Sequence, residues 1–420
     1  MRNSVFWIFS VVLFCFFSRD VQAQDSLYAR KIIKELTLEK YNGRGYVKSG
    51  DRKAADFIAG EFRRLGLEPI NGGSWFQKFS FPVNTFPKKT DVRINNVDLV
   101  PGKDFIIHPG MSSMKGAYQV VRILKPMAAY SADELKGRFL LLDTIGTGLK
   151  LDKDELKAWK KNVFSAAGMI WVQPQKLTWS VSTSGGEFPV IEVLKSALPA
   201  DTKEIGVDIA AKWIPEYHTA NVVGCLKGTT QPDSFLFVTA HYDHLGRMGK
   251  KAWFPGANDN ASGVSMLLNL AAHFSNPVNR LKYSMVFIAF AGEEAGLIGS
   301  KYYTEHPLVP LENIRFLLNV DLMGTGDEGM MVVNATEFPA AFARLDSINT
   351  SRNLLPKIGQ RGKAANSDHY FFTEKGVPSF FCYTMGGTTA YHDIYDVEPQ
   401  LPLTKYKEVF ALLHEFLSKQ

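Results

Sequence analysis

The stretch Ser284-Met285-Val286-Phe287-Ile288-Ala289-Phe290-Ala291-Gly292-Glu293-Glu294 decides the fold. Its apolar run shows no polar alternation, so a strand over 285–290 is buried on both faces. Similar runs at 235–239, 316–320 and 379–383 repeat the pattern, and helical spacing at about 262–275, 294–303, 337–349 and 404–418 separates them. The last helix carries Val409, Leu412, Leu413 and Phe416 on one face. Strands apolar on both sides and alternating with helices imply an α/β fold, a mostly parallel central sheet covered by helices on both faces. Ligand sites in such sheets gather at the carboxyl ends of the strands.

Upstream, 27–67 reads as helix, loop and helix, with Ala55, Ile58, Phe62 and Leu65 at helical spacing, Asp51 as N-cap and Gly66 at the stop. From 86 to 215 the texture changes to short strands at 117–124, 138–143, 168–172, 189–193 and 207–213, with the capping box Ser131…Glu134 opening a helix between them. The expected organisation is thus 24–85 as the first part of one domain, 86–215 as a smaller inserted β-rich α/β domain, and 216–420 as the remainder of the first. At the start, Arg2, the apolar run 5–17 and the small-residue site Val21-Gln22-Ala23 read as a secretory signal peptide over 1–23. That predicts an exported protein, periplasmic or extracellular. No later segment offers the ~20 apolar residues of a membrane span.

The formal charge is +6, and no block of consecutive Lys or Arg exceeds a pair, which excludes nucleic acid as a partner class. Cys15 leaves with the leader. Cys225 and Cys382 fall in apolar, strand-like stretches and read as two buried thiols, with a disulfide as the alternative.

Every cluster of potential ligands follows one of the buried strands. His241 and Asp243 follow the first, Glu293 and Glu294 the second, Asp321 the third, and His392 the fourth after a Gly-containing loop, while Asp259 sits in the turn before the 262–275 helix. Imidazole nitrogen and carboxylate oxygen suit Zn²⁺, and two His, two Asp and one Glu can hold two ions if one carboxylate bridges. A second glutamate beside a ligand can then take a proton from water. An acidic pair ordinarily marks a solvated surface, but this one continues directly from a buried run. The other seven histidines, His108, His218, His244, His273, His306, His369 and His414, read as structural.

The segments FVTAHYDHLG, PGANDNASGV, FIAFAGEEAGLIGS, LLNVDLMG, SDHYFFTEKGVP and YHDIYD, in this order and spacing, resemble the co-catalytic di-zinc aminopeptidase family, whose relatives include glutaminyl cyclases and glutamate carboxypeptidases. The resemblance covers 27–85 and 216–420. It implies that His241 and Asp321 bind one zinc, Glu294 and His392 the other, and that Asp259 bridges the two. Glu293 is then the general base, Asp243 orients His241, the Tyr391 hydroxyl stabilises the oxyanion, and the Asp259–Asn260 bond is cis. The middle module, with Gly137 to Leu142, Ala166 to Val172 and Phe188 to Ile191, resembles a protease-associated domain.

The activity so implied is hydrolysis of the first peptide bond of a peptide with a free N-terminus, by a hydroxide held between the ions. Three rivals share features with it. Glutaminyl cyclases overlap in ligands but carry Trp where Tyr391 stands and lack the insert, and a carboxypeptidase needs a basic pocket for the substrate carboxylate. A non-catalytic, receptor-like relative would have lost ligands or the base.

Overall fold

The computed structural model describes residues 26–149 and 153–420. The signal peptide expected over 1–23 lies outside the described residues. Among those described, no helix is long and apolar enough to cross a membrane.

Two eight-stranded sheets organise the chain. The first has the order Phe76–Thr85, Lys212–Leu226, Tyr283–Phe290, Gln231–His241, Ile314–Asp321, Ser379–Met385, Gly329–Val333 and Ile358–Gln360. Its four central strands run parallel, and the strands at Lys212–Leu226 and Gly329–Val333 pair antiparallel on either side of them. The sheet is therefore mixed, with a parallel centre.

The 284–290 run shows why the centre is parallel. Met285, Phe287 and Ala289 join one core with Val264, Leu267 and Leu413, while Val286, Ile288 and Phe290 join another with Tyr303 and Phe372. Each face thus has its own helices, among them Gly263–Ser275 and Tyr406–Ser418 on one side and Ile298–Glu305 and His369–Glu374 on the other. Burying each such large apolar side chain contributes about 1.5–3 kcal/mol.

The second sheet holds strands between Thr90 and Ile209, in the order Val97–Asp98, Thr90–Ile94, Glu204–Ile209, Met114–Arg122, Phe139–Leu142, Gly168–Gln173, Val190–Leu194 and Phe105–Ile107. The Ser131 and Glu134 capping box forms. One face of this sheet packs its Leu141, Ile170 and Val172 into a core that also takes Leu245, Met248 and Phe254. Those three come from the segment just after His241 that carries a two-stranded hairpin, which thus packs on the second sheet.

Two expectations change, and the cysteine reading is resolved. The strand expected at 207–213 is two strands, Glu204–Ile209 in the second sheet and Lys212–Leu226 in the first, so the chain re-enters the first sheet at Lys212 rather than at 216. Asp51 is not the N-cap of helix Gly50–Arg64; Ser49 holds that place. The Asp51 carboxylate turns inward and accepts hydrogen bonds from the Tyr217 and Thr219 hydroxyls. Burial raises its pKa to about 6. Cys225 and Cys382 are both free thiols.

Candidate metal centre

The carboxyl ends of the parallel strands and the loops beyond them bring the predicted residues to one cleft. His241 ends the Gln231–His241 strand and Asp321 ends Ile314–Asp321. Their side chains meet, with His241 Nε2 3.3 Å from Asp321 Oδ2 and 3.4 Å from Asp259 Oδ1. On the other side His392 Nε2 lies 3.0 Å from Asp259 Oδ2 and 3.2 Å from Glu294 Oε2. Asp259 therefore presents one oxygen to each imidazole. The Asp259–Asn260 peptide bond is cis.

The Asp259 segment is held from beneath. The backbone N–H groups of Asn258 and Asp259 donate to the Asp396 carboxylate at 2.8 and 2.9 Å. Arg44, fully buried, donates to the carbonyls of Pro255, Gly256 and Asp259. A buried guanidinium satisfied by carbonyls offers geometric rigidity while its charge offsets the surrounding carboxylates.

Asp243 behaves differently from a simple partner of His241. His241 Nδ1 donates to the Asp243 main-chain carbonyl at 3.1 Å, while the nearer carboxylate oxygen is 3.9 Å away. That carboxylate instead accepts from the Tyr46 hydroxyl at 2.6 Å and from the backbone N–H groups of Glu293 and Glu294 at 3.2 and 3.3 Å. One residue thus fixes an imidazole through its backbone and the acidic pair through its side chain.

The adjacent glutamates titrate in opposite directions, from the side chains alone. Burial pushes the Glu293 carboxyl well above the usual range, with Asp368, Glu294 and Asp321 adding to the push against His241. Burial also opposes ionisation of Glu294, but His392 and His244 outweigh it and hold that carboxyl well below the usual range. The difference follows from the balance around each: three carboxylates against the His241 imidazole at Glu293, and two imidazoles, His392 and His244, at Glu294. For His392, burial works against the charged ring, yet Glu294 and Asp259 raise it to about 11.

The donor set fits a pair of cations. His241, Asp259 and Asp321 form one group and His244, Asp259 and Glu294 another, each with donor atoms within 4.8 Å of one another. Asp321 Oδ1 is buried with no hydrogen-bond partner, the state of a carboxylate oxygen left for a metal. Nitrogen and carboxylate donors of this kind are those of zinc.

Sequence reasoning left His244 among the structural histidines. Its Nδ1 sits 2.7 Å from Glu294 Oε1 and its Nε2 is buried without a partner. Nothing local in Tyr242-Asp243-His244 distinguishes its ring from that of His241. Asp368, Asp396, Tyr46 and Arg44 were missed as well. Asp368 is fully buried behind Glu293, and burial raises it to about 7.

Tyr391 lines the cleft beside His392, their rings stacked at 4.0 Å. Glu293, Arg361, Asn366, Phe381 and Tyr383 complete the wall of a space of about 220 Å³. A larger hollow of about 590 Å³, lined by Arg52, Phe76 and His218, lies away from these donors.

Residues 221–417 match the model of Peptidase family M28. Aminopeptidase YwaD of Bacillus subtilis (strain 168) is 30% identical over 213 residues, 48% of this chain and 44% of that protein. A probable zinc metalloprotease of Pyricularia oryzae is 40% identical over 114 residues, 26% of this chain and 22% of that protein. The chain thus matches less than half the length of these curated relatives. Among solved structures, the zinc aminopeptidase BSAP from Bacillus subtilis superposes with a TM-score of 0.71 at 20% identity, over 94% of each chain. A Peptidase M28 precursor from Shewanella amazonensis gives 0.69 at 17%, over 94% of this chain and 93% of that one. At these identities the structural likeness is one of fold.

Proposed function

We propose that the protein is an exported, zinc-dependent aminopeptidase that hydrolyses the N-terminal peptide bond of peptides, a reading supported by the match of residues 221–417 to the model of Peptidase family M28. The observation that carries the reading is Asp259 set between His241 and His392, one oxygen to each, with Asp321 and Glu294 beyond. His241 and Asp321 would hold one zinc and Glu294 and His392 the other, with Asp259 offering an oxygen to each side.

Bound zinc supplies a Lewis acid that polarises a carbonyl and lowers the pKa of water to about 7. Glu293 takes the proton of the attacking water and delivers it to the leaving amine nitrogen. Its place in the wall of the cleft, beside His241 and Asp321, suits both duties. The Tyr391 hydroxyl donates to the oxyanion as the carbonyl becomes tetrahedral. Asp243 keeps the two glutamates and His241 in mutual register. The leader over 1–23 and a protease-associated module within 86–211 complete the reading, the module narrowing access to the cleft.

The test compares an aminoacyl-peptide with its N-acetylated form, with and without a chelator. Cleavage of the free peptide only, abolished by chelation, is the expected result; equal cleavage of both overturns the aminopeptidase. One observation favours a second reading, since the Arg361 guanidinium lines the cleft and donates to the Tyr383 hydroxyl at 2.9 Å. A carboxypeptidase for acidic dipeptides needs such a cation. Release of the C-terminal residue from an N-acetylated acidic dipeptide would select it.

A further inference from the structure

The metal donors differ in what holds them. His241 and Asp321 are the last residues of strands in the middle of the first sheet. His392 has no such support. It lies beyond Gly386 and Gly387, both at positive φ, and itself has φ +54, a left-handed conformation uncommon for a residue with a side chain.

Its support comes from the other sheet. Trp179 lies in the connection between strands Gly168–Gln173 and Val190–Leu194 of the second sheet. The Trp179 backbone N–H donates to the His392 carbonyl at 2.9 Å, and His392 Nδ1 donates to the Trp179 carbonyl at 3.0 Å. A ring whose Nδ1–H is committed to a carbonyl carries its lone pair on Nε2, the atom that faces Asp259 and Glu294. The two bonds therefore set both the place of the ring and its tautomer.

Trp179 is itself locked. It is 5% exposed, its ring stacks on Phe254 at 4.7 Å, and its indole N–H donates to the Ile107 carbonyl at 2.8 Å. Lys176 adds a second tie between the same loops, with Nζ donating to the Thr389 carbonyl at 2.7 Å and lying 3.2 Å from Asp393 Oδ2.

We propose that Trp179 is a positioning residue for His392, so that the second-sheet part of the chain sets the zinc affinity of the Glu294–His392 half of the centre. This rests on the reading of His392 as a ligand given above. The part of the chain with no metal donor of its own thereby tunes one ion and leaves the other alone.

The test is competitive zinc titration of the full chain against a chromophoric chelator, for wild type, Trp179→Ala, Trp179→Phe, His392→Ala and the Trp179→Ala/His392→Ala double variant. Trp179→Ala leaves both main-chain bonds possible but removes the indole bond to Ile107 and the stack on Phe254 that hold the loop in place, and is expected to weaken one zinc by roughly 10-fold, the lower end of what losing a support behind a metal ligand costs, with the other unchanged. Trp179→Phe, which keeps the stack on Phe254, recovers most of that loss, and the double variant binds no more weakly than His392→Ala alone. If Trp179→Ala does not fold, Lys176→Ala carries the test, with a smaller loss expected at the same ion. Equal weakening of both ions, or no change at either, overturns the proposal. A wild type that binds fewer than two zinc ions instead overturns the reading of the centre.

Discussion

The two halves of the centre are built by different means. The half at His241 and Asp321 comes from strand ends, where backbone hydrogen bonds of the sheet have already fixed each Cα. The half at Glu294 and His392 comes from loops, and every donor there needs help from elsewhere: Asp243 and His244 for Glu294, Trp179 for His392. A parallel sheet supplies rigid positions at one edge at no added cost. A loop ligand has to be held by side chains and by distant segments, which leaves that half open to tuning.

The substitution expected to erase the comparison altogether is Asp259→Ala. It removes the one carboxylate that faces both halves, so both ions should go, with activity falling well beyond the roughly 10–100-fold that a supporting residue is worth. Metal analysis after dialysis checks this; retention of either ion in full would mean that the halves are independent. Asp243→Asn should sharpen the comparison from the other direction. The carboxylate accepts from two backbone N–H groups on the glutamate side, whereas His241 uses the main-chain carbonyl, which the substitution leaves in place. We expect roughly 10–100-fold weaker binding of the ion nearer Glu294 and a smaller change at the other, read by zinc titration.

The smallest effect is a contrast with a region remote from the centre. His273 packs against Phe274, Phe410 and His414, and burial, with the charge of His414 in support, lowers its pKa to about 4. Its folded pKa lies below the ordinary value near 6.5, so its contribution to stability is present above about pH 6.5 and is lost as pH falls toward 4. Discounted for the part of the ring that solvent screens, the loss at pH 5 is about 1 kcal/mol, or about 1 °C in Tm for a chain of this length. In metal-free protein, His273→Phe should reduce the drop in Tm between pH 7 and pH 5 by that amount. An unchanged drop would show that the ring titrates normally.

Much of this was legible in the sequence where burial is two-sided. The runs inside Tyr283–Phe290, Ile314–Asp321 and Ser379–Met385 are almost entirely apolar because each faces a core on both sides. Lys212–Leu226 was harder to read, because its first half alternates exposed Glu216 and His218 with buried Tyr217 and Thr219 at the edge of the sheet. Asp51 looked like a cap because an acid near a helix start ordinarily is one; its true partners, Tyr217 and Thr219, lie 166 and 168 residues away. Trp179 and His392 are separated by 213 residues and meet through the main chain of Trp179, which no side-chain pattern records. The strand-end residues could be read because sheet geometry is local and repetitive. The supports of the loop donors could not, because they depend on which distant segments the fold brings together.

The measurement that tests the central claim most directly is made on Glu293→Gln, with zinc content and turnover read from the same sample. Glu293 faces mainly carboxylates and is assigned a proton, while its neighbour Glu294 faces two imidazoles and is assigned a metal. The expected result is two zinc ions per chain, as in wild type, with kcat lower by about 10²–10⁴-fold, the range that general acid–base catalysis supplies. Full turnover with both ions in place would contradict the division of labour between the two glutamates.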